Sequence, residues 1–558
     1  MNISELQIYC KNTEEYISID GGETLLGIVQ PLLHRMKFTP LCAFVNNQAE
    51  DLHFRVYRPK HVEYLGIDHP SAQRVYARSL CMVLYKAIND LFPGKRLRLE
   101  HSISNGYYCI LKHDKTTLTP EIIGRIKDRM AEIIADNITF IRRERLTTDV
   151  IEMFRRQGLN DKVRLLSTID DLYTAYYQLG DIIDNFYGPL VPSTGYLKVW
   201  DLQPYENGML LLGPDAENPN QPATMVPQPK MFKAFTEYIA FNDIIGIDDV
   251  GYLNKAINSR QAPLLINVAE ALHNKMFASI AAEITRRYHE GGARVVLIAG
   301  PSSSGKTTSS KRLAVQLLTN YIVPKVIELD NYFVDRAHTP KDESGEYDYE
   351  SIYALDLEQF NTDLERLLAG ETVDMPTYNF TTGEREYRGN TLHLDPNNIL
   401  LIEGIHGLNP ELTKGIPEQQ KFRLYVSALT TLSIDDHNWV STSDNRLLRR
   451  IVRDSKYRGI QARDTIARWG SVRRGERKWI FPYQENADAT FNSSLLFELA
   501  AMKPQAEAVL KKVPASSPEY AEAYRLLKFL SYFDPLDEAD IPSNSLLREF
   551  LGGSSFDY

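Results

Sequence analysis

The chain has 558 residues, 43% hydrophobic and 24% charged, with a net charge of −10 at neutral pH. That length exceeds what one hydrophobic core serves and predicts several domains, and the acidic balance argues against wholesale nucleic-acid binding. With no apolar run near the roughly 18 residues of a membrane span, no signal-peptide pattern at the start, and Cys10, Cys42, Cys81 and Cys109 forming no C-x-x-C pair, the expectation is a reduced, cytoplasmic protein with no membrane partner.

In chain order, residues 1–66 set the short strand patterns "LQIYC", "YISID", "CAFVNN" and "FRVYRP" around one helical stretch, "TLLGIVQPLLHRM". This predicts a small α+β module. Over 67–212, helical segments such as "SAQRVYARSLCMVLYKAINDLF" and "TPEIIGRIKDRMAEIIADN" alternate with extended ones such as "NGYYCIL" and "ITFIRRERL". The Pro/Asn-rich stretch Gly213–Lys230 opens a linker and helical connector over 213–290. From 291 to 500 the pattern becomes strand, glycine turn, helix, strand: "RVVLIAG", "TTSSKRLAVQLLTN", "KVIELD", "NILLIEG", "FRLYVSA". Apolar strands alternating with helices predict an α/β fold with a parallel sheet covered by helices on both faces. Residues 501–558 read as a helical tail with no assignable chemistry.

Gly300-Pro-Ser-Ser-Ser-Gly305-Lys306-Thr307 fits G-x-x-x-x-G-K-[ST], a loop whose amides and following helix dipole cradle phosphates. A chance match over this length is about 2% on average residue usage. The expected ATP-binding set is Gly300, Ser302, Ser303, Ser304, Gly305, Lys306, Thr307 and Thr308. Lys306 would reach the β- and γ-phosphates, and the Thr307 hydroxyl would ligate Mg2+. Two acids end apolar strands, where ligands bind in such sheets: Asp330 after "VIEL" and Glu403 in "ILLIEG", the latter the better placed metal-side acid. Arg446, Arg449, Arg450 and Arg453 share one helix face, opposite Leu447, Leu448, Ile451 and Val452. That face is either solvated or a lid that clamps transferred charge.

The strings "GPSSSGKTT", "ELDNYF", "YDYES", "MPTYNF", "LLIEG" and "RRIVRD…RG" together resemble the uridine kinase and phosphoribulokinase group of P-loop kinases over about residues 295–494. The resemblance implies an ATP- and Mg2+-dependent kinase. It makes Asp330 the catalytic base and Asp348 a partner of sugar hydroxyls. Tyr347, Phe333 and Tyr378 become the acceptor's aromatic wall, Arg450 an acceptor contact, and Arg453 and Arg458 ATP contacts. The departures fall on the acceptor side: Gly383 where the family reads the base with histidine, Ile460 for a second arginine, Arg468 for a glutamine, and an extra segment, "TLSIDDHNWVSTSD", that brings Asp435, Asp436 and His437 near the arginine helix. Uridine or cytidine is the family default; another nucleoside, a sugar or a polyol is the rival. A homo-oligomer is a further implication.

The front, residues 1 to about 200, resembles the N-terminal part of threonyl-tRNA synthetase, a β-grasp TGS module followed by an editing-type domain, in "LFPGKRLRLEHSISNGYYCIL", "LTPEIIGRIKDRMAEIIADN" and "GPLVPSTG". The editing positions fall on Arg78, Met82, Phe186 and Leu190, none of which binds metal; His69, His101 and His113 remain as lone histidines. The implied roles are a scaffold or dimer interface, or a retained groove for RNA or a small metabolite. A second reading of the whole chain follows: a regulatory ATP-binding protein whose front half contacts RNA.

Overall fold

A computed structural model describes residues 5–112, 118–342 and 345–557; His113 lies outside them. The N-terminal strands form a five-stranded sheet in the order Glu15–Asp20, Glu5–Cys10, His61–Leu65, Cys42–Val45, Gln48–Glu50. Only the pairing of Glu5–Cys10 with His61–Leu65 is parallel, which is the β-grasp arrangement. Thr24 caps the helix Leu25–Val29 by accepting from the Gly27 N–H, and Pro31, with no N–H to donate, sits in the 3-10 turn that follows. The expected strand "FRVYRP" contributes only Arg55–Val56, paired with Glu23–Thr24.

The helix Pro70–Leu91 is buried at every residue from Val75 to Ile88. It is enclosed by a four-stranded antiparallel sheet (Asp201–Tyr205, Gly208–Leu212, Gly106–Lys112, Arg96–Ile103), by the helix Pro120–Ala135 and by a three-stranded sheet (Ile141–Leu146, Tyr173–Leu179, Ile182–Asp184).

The C-terminal half is built on a fully parallel sheet in the order Val323–Glu328, Asn398–Glu403, Val295–Ala299, Lys421–Ser427, Ala489–Asn492. Its central strands read as unbroken apolar runs because both faces are covered. Val296, Ile298 and Leu401 enter one core with the helices Ala262–Gly291, Lys306–Thr319, Thr442–Tyr457 and Glu498–Leu510, while Val295, Leu297 and Leu400 enter another with Leu357–Leu368. The C-terminal residues expected as a tail share the first of these cores: Leu526 and Phe529 from the helix Tyr520–Leu530, Leu547 just before the helix Arg548–Leu551, and Phe550 within it.

The two halves interlock. Tyr108 and Leu210 of the four-stranded sheet pack with Ala299, Tyr425 and Leu429 of the parallel-sheet half. The extra segment "TLSIDDHNW", which leads to the arginine helix, is buried against the front half. Fully buried Lys162 lies 2.7 Å from Asp184 and 3.0 Å from Asp435, and His437 Nδ1 is 2.7 Å from Asp184. Asp436 pairs with Arg96 and lies 3.5 Å from Lys112. Buried carboxylates require cations, and the front half supplies them.

Candidate active site

The phosphate loop follows the central strand Val295–Ala299. A Cβ at Gly300 would fall 1.9 Å from the Val426 carbonyl oxygen, so only glycine lets the chain turn here. Ser303 (φ 57) and Gly305 (φ +84) complete the turn, and the helix Lys306–Thr319 begins with no side chain of its N-cap residue bonded to it, so the amides of Lys306 and Thr307 face a ligand's side of the turn. The Lys306 ammonium has only a long contact, 3.4 Å, to the Pro301 carbonyl. Thr307 Oγ1 donates to Glu403 Oε2 at 3.1 Å. Thr308 points elsewhere: its hydroxyl (2.6 Å) and amide (3.3 Å) donate to Glu549 Oε2, and Leu546 covers Gly305. No local pattern in the sequence signals this contact of the C-terminal segment.

Asp330 and Glu403 leave neighbouring parallel strands, paired at Glu328 and Glu403, on the side of the sheet where the phosphate loop emerges. Asp330 is exposed to solvent just past the end of its strand. Desolvation by the protein packed around it raises its pKa, while Lys306, Arg458 and Arg453 pull it down. Glu403 is pushed up to about 7 by burial and by Asp330, Glu328 and Glu549, against the attraction of Lys306. Glu350, two residues beyond Asp348, belongs to the same constellation: burial, Glu476 and Asp330 push it to about 7, against Arg450 and Lys306. Its Oε2 has no hydrogen-bond partner. Asp348, expected at the acceptor, accepts instead from the Glu350 N–H at 3.2 Å within its own turn.

This excess of carboxylates suits a divalent cation. Thr307 and Glu403 form a small oxygen donor set, and among the described residues no group of three or more His, Cys, Asp or Glu could hold a metal. Mg2+ matches such a site because it retains waters and takes few protein ligands besides phosphate oxygens.

The arginine helix Thr442–Tyr457 buries Leu447, Leu448, Ile451 and Val452, as its spacing predicts. Two of its arginines are neither solvated nor free to act as a lid. Arg446 is 1% exposed; it pairs with Glu476 (2.8 Å) and donates to the Ser302 carbonyl at 3.1 Å. Arg449 pairs with Glu498 and reaches the Ser303 carbonyl at 3.5 Å and the Ser493 carbonyl at 2.9 Å. Glu476 in turn accepts from the Ser302 N–H at 3.2 Å, so the loop is clamped from outside. Arg450 donates to Ser302 Oγ at 2.9 Å, and Arg450, Arg453 and Arg458 gather around Asp454 at 3.3, 3.0 and 3.5 Å.

Phe333 and Tyr378 pack at 5.5 Å; Phe380 joins Tyr378 at 5.1 Å, Tyr349 joins Phe333 at 6.4 Å, and Tyr347 joins Tyr349 at 5.9 Å. Tyr349 and Phe380 extend the expected wall, and both were present in the quoted "YDYES" and "MPTYNF". Asn331 Oδ1 accepts from the Tyr378 N–H at 3.1 Å, tying this wall to the turn that carries Asp330. The buried Tyr378 hydroxyl has no partner. Arg336 lies over Gly383, where a Cβ would come within 2.8 Å of its Nε. In the front half, Arg78, Met82, Phe186 and Leu190 are all buried. His69 caps a helix, and His101 stacks on Phe235 at 3.6 Å, its pKa lowered to about 3 by burial.

Residues 295–496 match the family model of the "Phosphoribulokinase / Uridine kinase family". The N-terminal region matches threonine–tRNA ligases. With that of Desulforamulus reducens the identity is 31% over 178 residues, 32% of this chain and 28% of the ligase; with that of Clostridium kluyveri it is 27% over 194 residues, 35% and 30%. The chain thus spans less than a third of these relatives' length. Among solved structures, a putative fructose transport system kinase from Silicibacter sp. TM1040 is 19% identical, covering 38% of this chain and 98% of that one, with a TM-score of 0.28. A possible uridine kinase from Bacillus stearothermophilus is 22% identical, covering 36% and 89%, with a TM-score of 0.24.

Proposed function

We propose that this chain is an ATP- and Mg2+-dependent kinase that phosphorylates a hydroxyl of a small molecule bearing a flat ring, first a nucleoside of the uridine or cytidine type. The observation that carries this reading is the phosphate loop with Thr307 hydrogen-bonded to Glu403 at 3.1 Å, on the same side of the sheet as the solvent-exposed Asp330 and the wall of Phe333, Tyr378 and Phe380. Lys306, Arg453 and Arg458 act electrostatically on Asp330. Asp330 takes the proton of the acceptor hydroxyl, and its raised pKa makes it a stronger base than a free aspartate. Lys306 and the arginines around Asp454 stabilise the charge on the transferred group. Glu350 hydrogen-bonds acceptor hydroxyls in the place first given to Asp348, and the aromatic wall holds the ring. Thr307 and Glu403 would hold Mg2+, which when bound neutralises phosphate oxygens.

The test is Asp330→Asn. Turnover should fall about 100- to 10,000-fold, the usual span of general base catalysis, with ATP binding measured by calorimetry nearly unchanged. Retained turnover would remove Asp330 from this role. The four buried free cysteines support a reducing, cytoplasmic location. The second reading, a nucleotide-binding regulator, is favoured by one feature, the Glu549 carboxylate on Thr308. An RNA contact of the front half would use the exposed strand Ile141–Leu146 with Arg142, Arg143 and Arg145. Binding of ATP and tRNA with no transfer to any nucleoside, pentose or polyol would select that reading.

A further inference from the structure

A cavity of about 170 Å³ lies where the β-grasp module, the long buried helix Pro70–Leu91 and the C-terminal helix Tyr520–Leu530 meet. Its lining residues do not include those of the phosphate loop. What sets it apart is the state of its cations.

Arg78 is only 6% exposed and, among the described residues, has no carboxylate partner. Its Nε and one terminal nitrogen donate to the Pro189 carbonyl at 3.3 and 3.1 Å, and no protein acceptor meets the other terminal nitrogen. The surroundings are shaped around this guanidinium. A Cβ at Gly188 would come within 2.5 Å of it, and the Tyr187 ring lies 5.6 Å away as a cation–π partner. Burial lowers its pKa to about 10. An arginine held so deeply without an anion is costly unless something negative arrives.

Two more cations, Arg142 and Lys528, line the cavity, and among the described residues neither has an ion-pair partner. Lys528 is exposed, and desolvation together with repulsion from Arg142 and Arg78 holds it below the usual lysine range, with Glu50 opposing. The two remaining lining arginines are already engaged. Arg74 pairs with Glu522 at 2.8 Å, and Arg525 bonds both oxygens of Asp444 at 2.8 Å. The lining acids do not balance the three unpaired cations. Asp51 accepts from the Tyr177 hydroxyl at 2.9 Å and from the His53 N–H, and burial raises Glu50 to about 7.

We propose that this cavity is a binding site for a small phosphoryl dianion, free or carried as a phosphomonoester. A phosphomonoester carries about −1.5 to −2 charge at pH 7 and presents three acceptor oxygens. That matches an unpaired guanidinium fork flanked by two further cations. The volume limits the ligand to a few heavy atoms beyond the phosphoryl group.

The test uses the full chain carrying Lys306→Ala, so that the phosphate loop does not contribute. Calorimetry at low ionic strength would titrate ribose 5-phosphate, inorganic phosphate, ribose and succinate. The expected result is binding of one or both phosphoryl probes with a dissociation constant of about 1 mM or tighter, and none of ribose. The stronger phosphoryl probe identifies the source, ester or free phosphate. Adding Arg78→Met or Arg142→Gln should weaken binding at least about tenfold. Arg78→Met should not lower the melting temperature, since it removes an unpaired buried charge. Should it fail to fold, the exposed Arg142→Gln decides. Absence of phosphoryl binding, equal binding of succinate, or binding undiminished in the folded variants would each overturn the proposal.

Discussion

Arg446 and Glu476, at 1% and 0% side-chain exposure, form a buried ion pair that grips both the carbonyl and the amide of Ser302. Replacing Arg446 with Met leaves Glu476 buried with a single remaining cation, Arg473, at 3.4 Å. Removing one partner of such a pair costs about 3–5 kcal/mol; Arg473 keeps the expected loss near the lower figure. In the double variant Arg446→Met/Glu476→Gln no charge is stranded, so stability should return to within about 1 kcal/mol of the wild type, as apolar replacements of buried pairs do. Nucleotide affinity should behave differently. Both variants release Ser302 from its clamp, and misdirecting one donor to a charged phosphate costs about 1.5–3 kcal/mol, roughly 10- to 100-fold in ATP affinity. Urea midpoints and ATP calorimetry on wild type, both single variants and the double separate the two effects. A double variant as unstable as Arg446→Met, or one that recovers full ATP affinity, would refute the clamp.

Glu549→Gln keeps a hydrogen-bonding group beside Thr308 but removes its charge from the phosphate site; ATP should bind about tenfold tighter, near 1.4 kcal/mol, and unchanged affinity would mean that this carboxylate does not compete with nucleotide. Glu403 rises from an ordinary 4.5 to about 7 on folding. The folded form therefore holds more protons across that window, and stability falls as pH rises through it. The nucleotide-free melting temperature of wild type relative to Glu403→Gln should accordingly drop between pH 5 and pH 8; parallel pH profiles of the two proteins would contradict this. Phe380, 62% exposed at the end of the aromatic wall, should raise the acceptor KM about tenfold when changed to Ala, consistent with about 1–3 kcal/mol for stacking on a base. The KM for ATP should not move; a change in both would place Phe380 outside the acceptor site.

The parallel sheet and phosphate loop were legible because their signals are local: "VVLIA" is apolar throughout as a doubly covered strand must be, and the glycine spacing of 300–305 dictates the turn. The arginine helix was half legible. Its 3.6-residue period states which residues share a face, but what covers that face depends on Glu476 and Glu498, 30 and 49 residues beyond the arginines they pair with. The sequence does not separate Asp348 from Glu350 for a related reason: the stretch between Glu346 and Ser351 is irregular, so no period fixes which acid faces the site. Contacts of the C-terminal segment with Thr308 and Gly305 span some 240 residues, and nothing in "SLLREFL" announces them.

Lys162 and its carboxylates tie together the two regions of the chain that match different proteins. Asp435 and His437 belong to the half that matches the kinase family, whereas Lys162 and Asp184 belong to the half that matches the ligases. Once such a network is buried, losing either half strands charge in the other at several kcal/mol per group. Changing one residue at a time does not help, because each single substitution also leaves a partner uncompensated. The junction therefore makes the front half a structural requirement of the other, whether or not it performs any chemistry of its own.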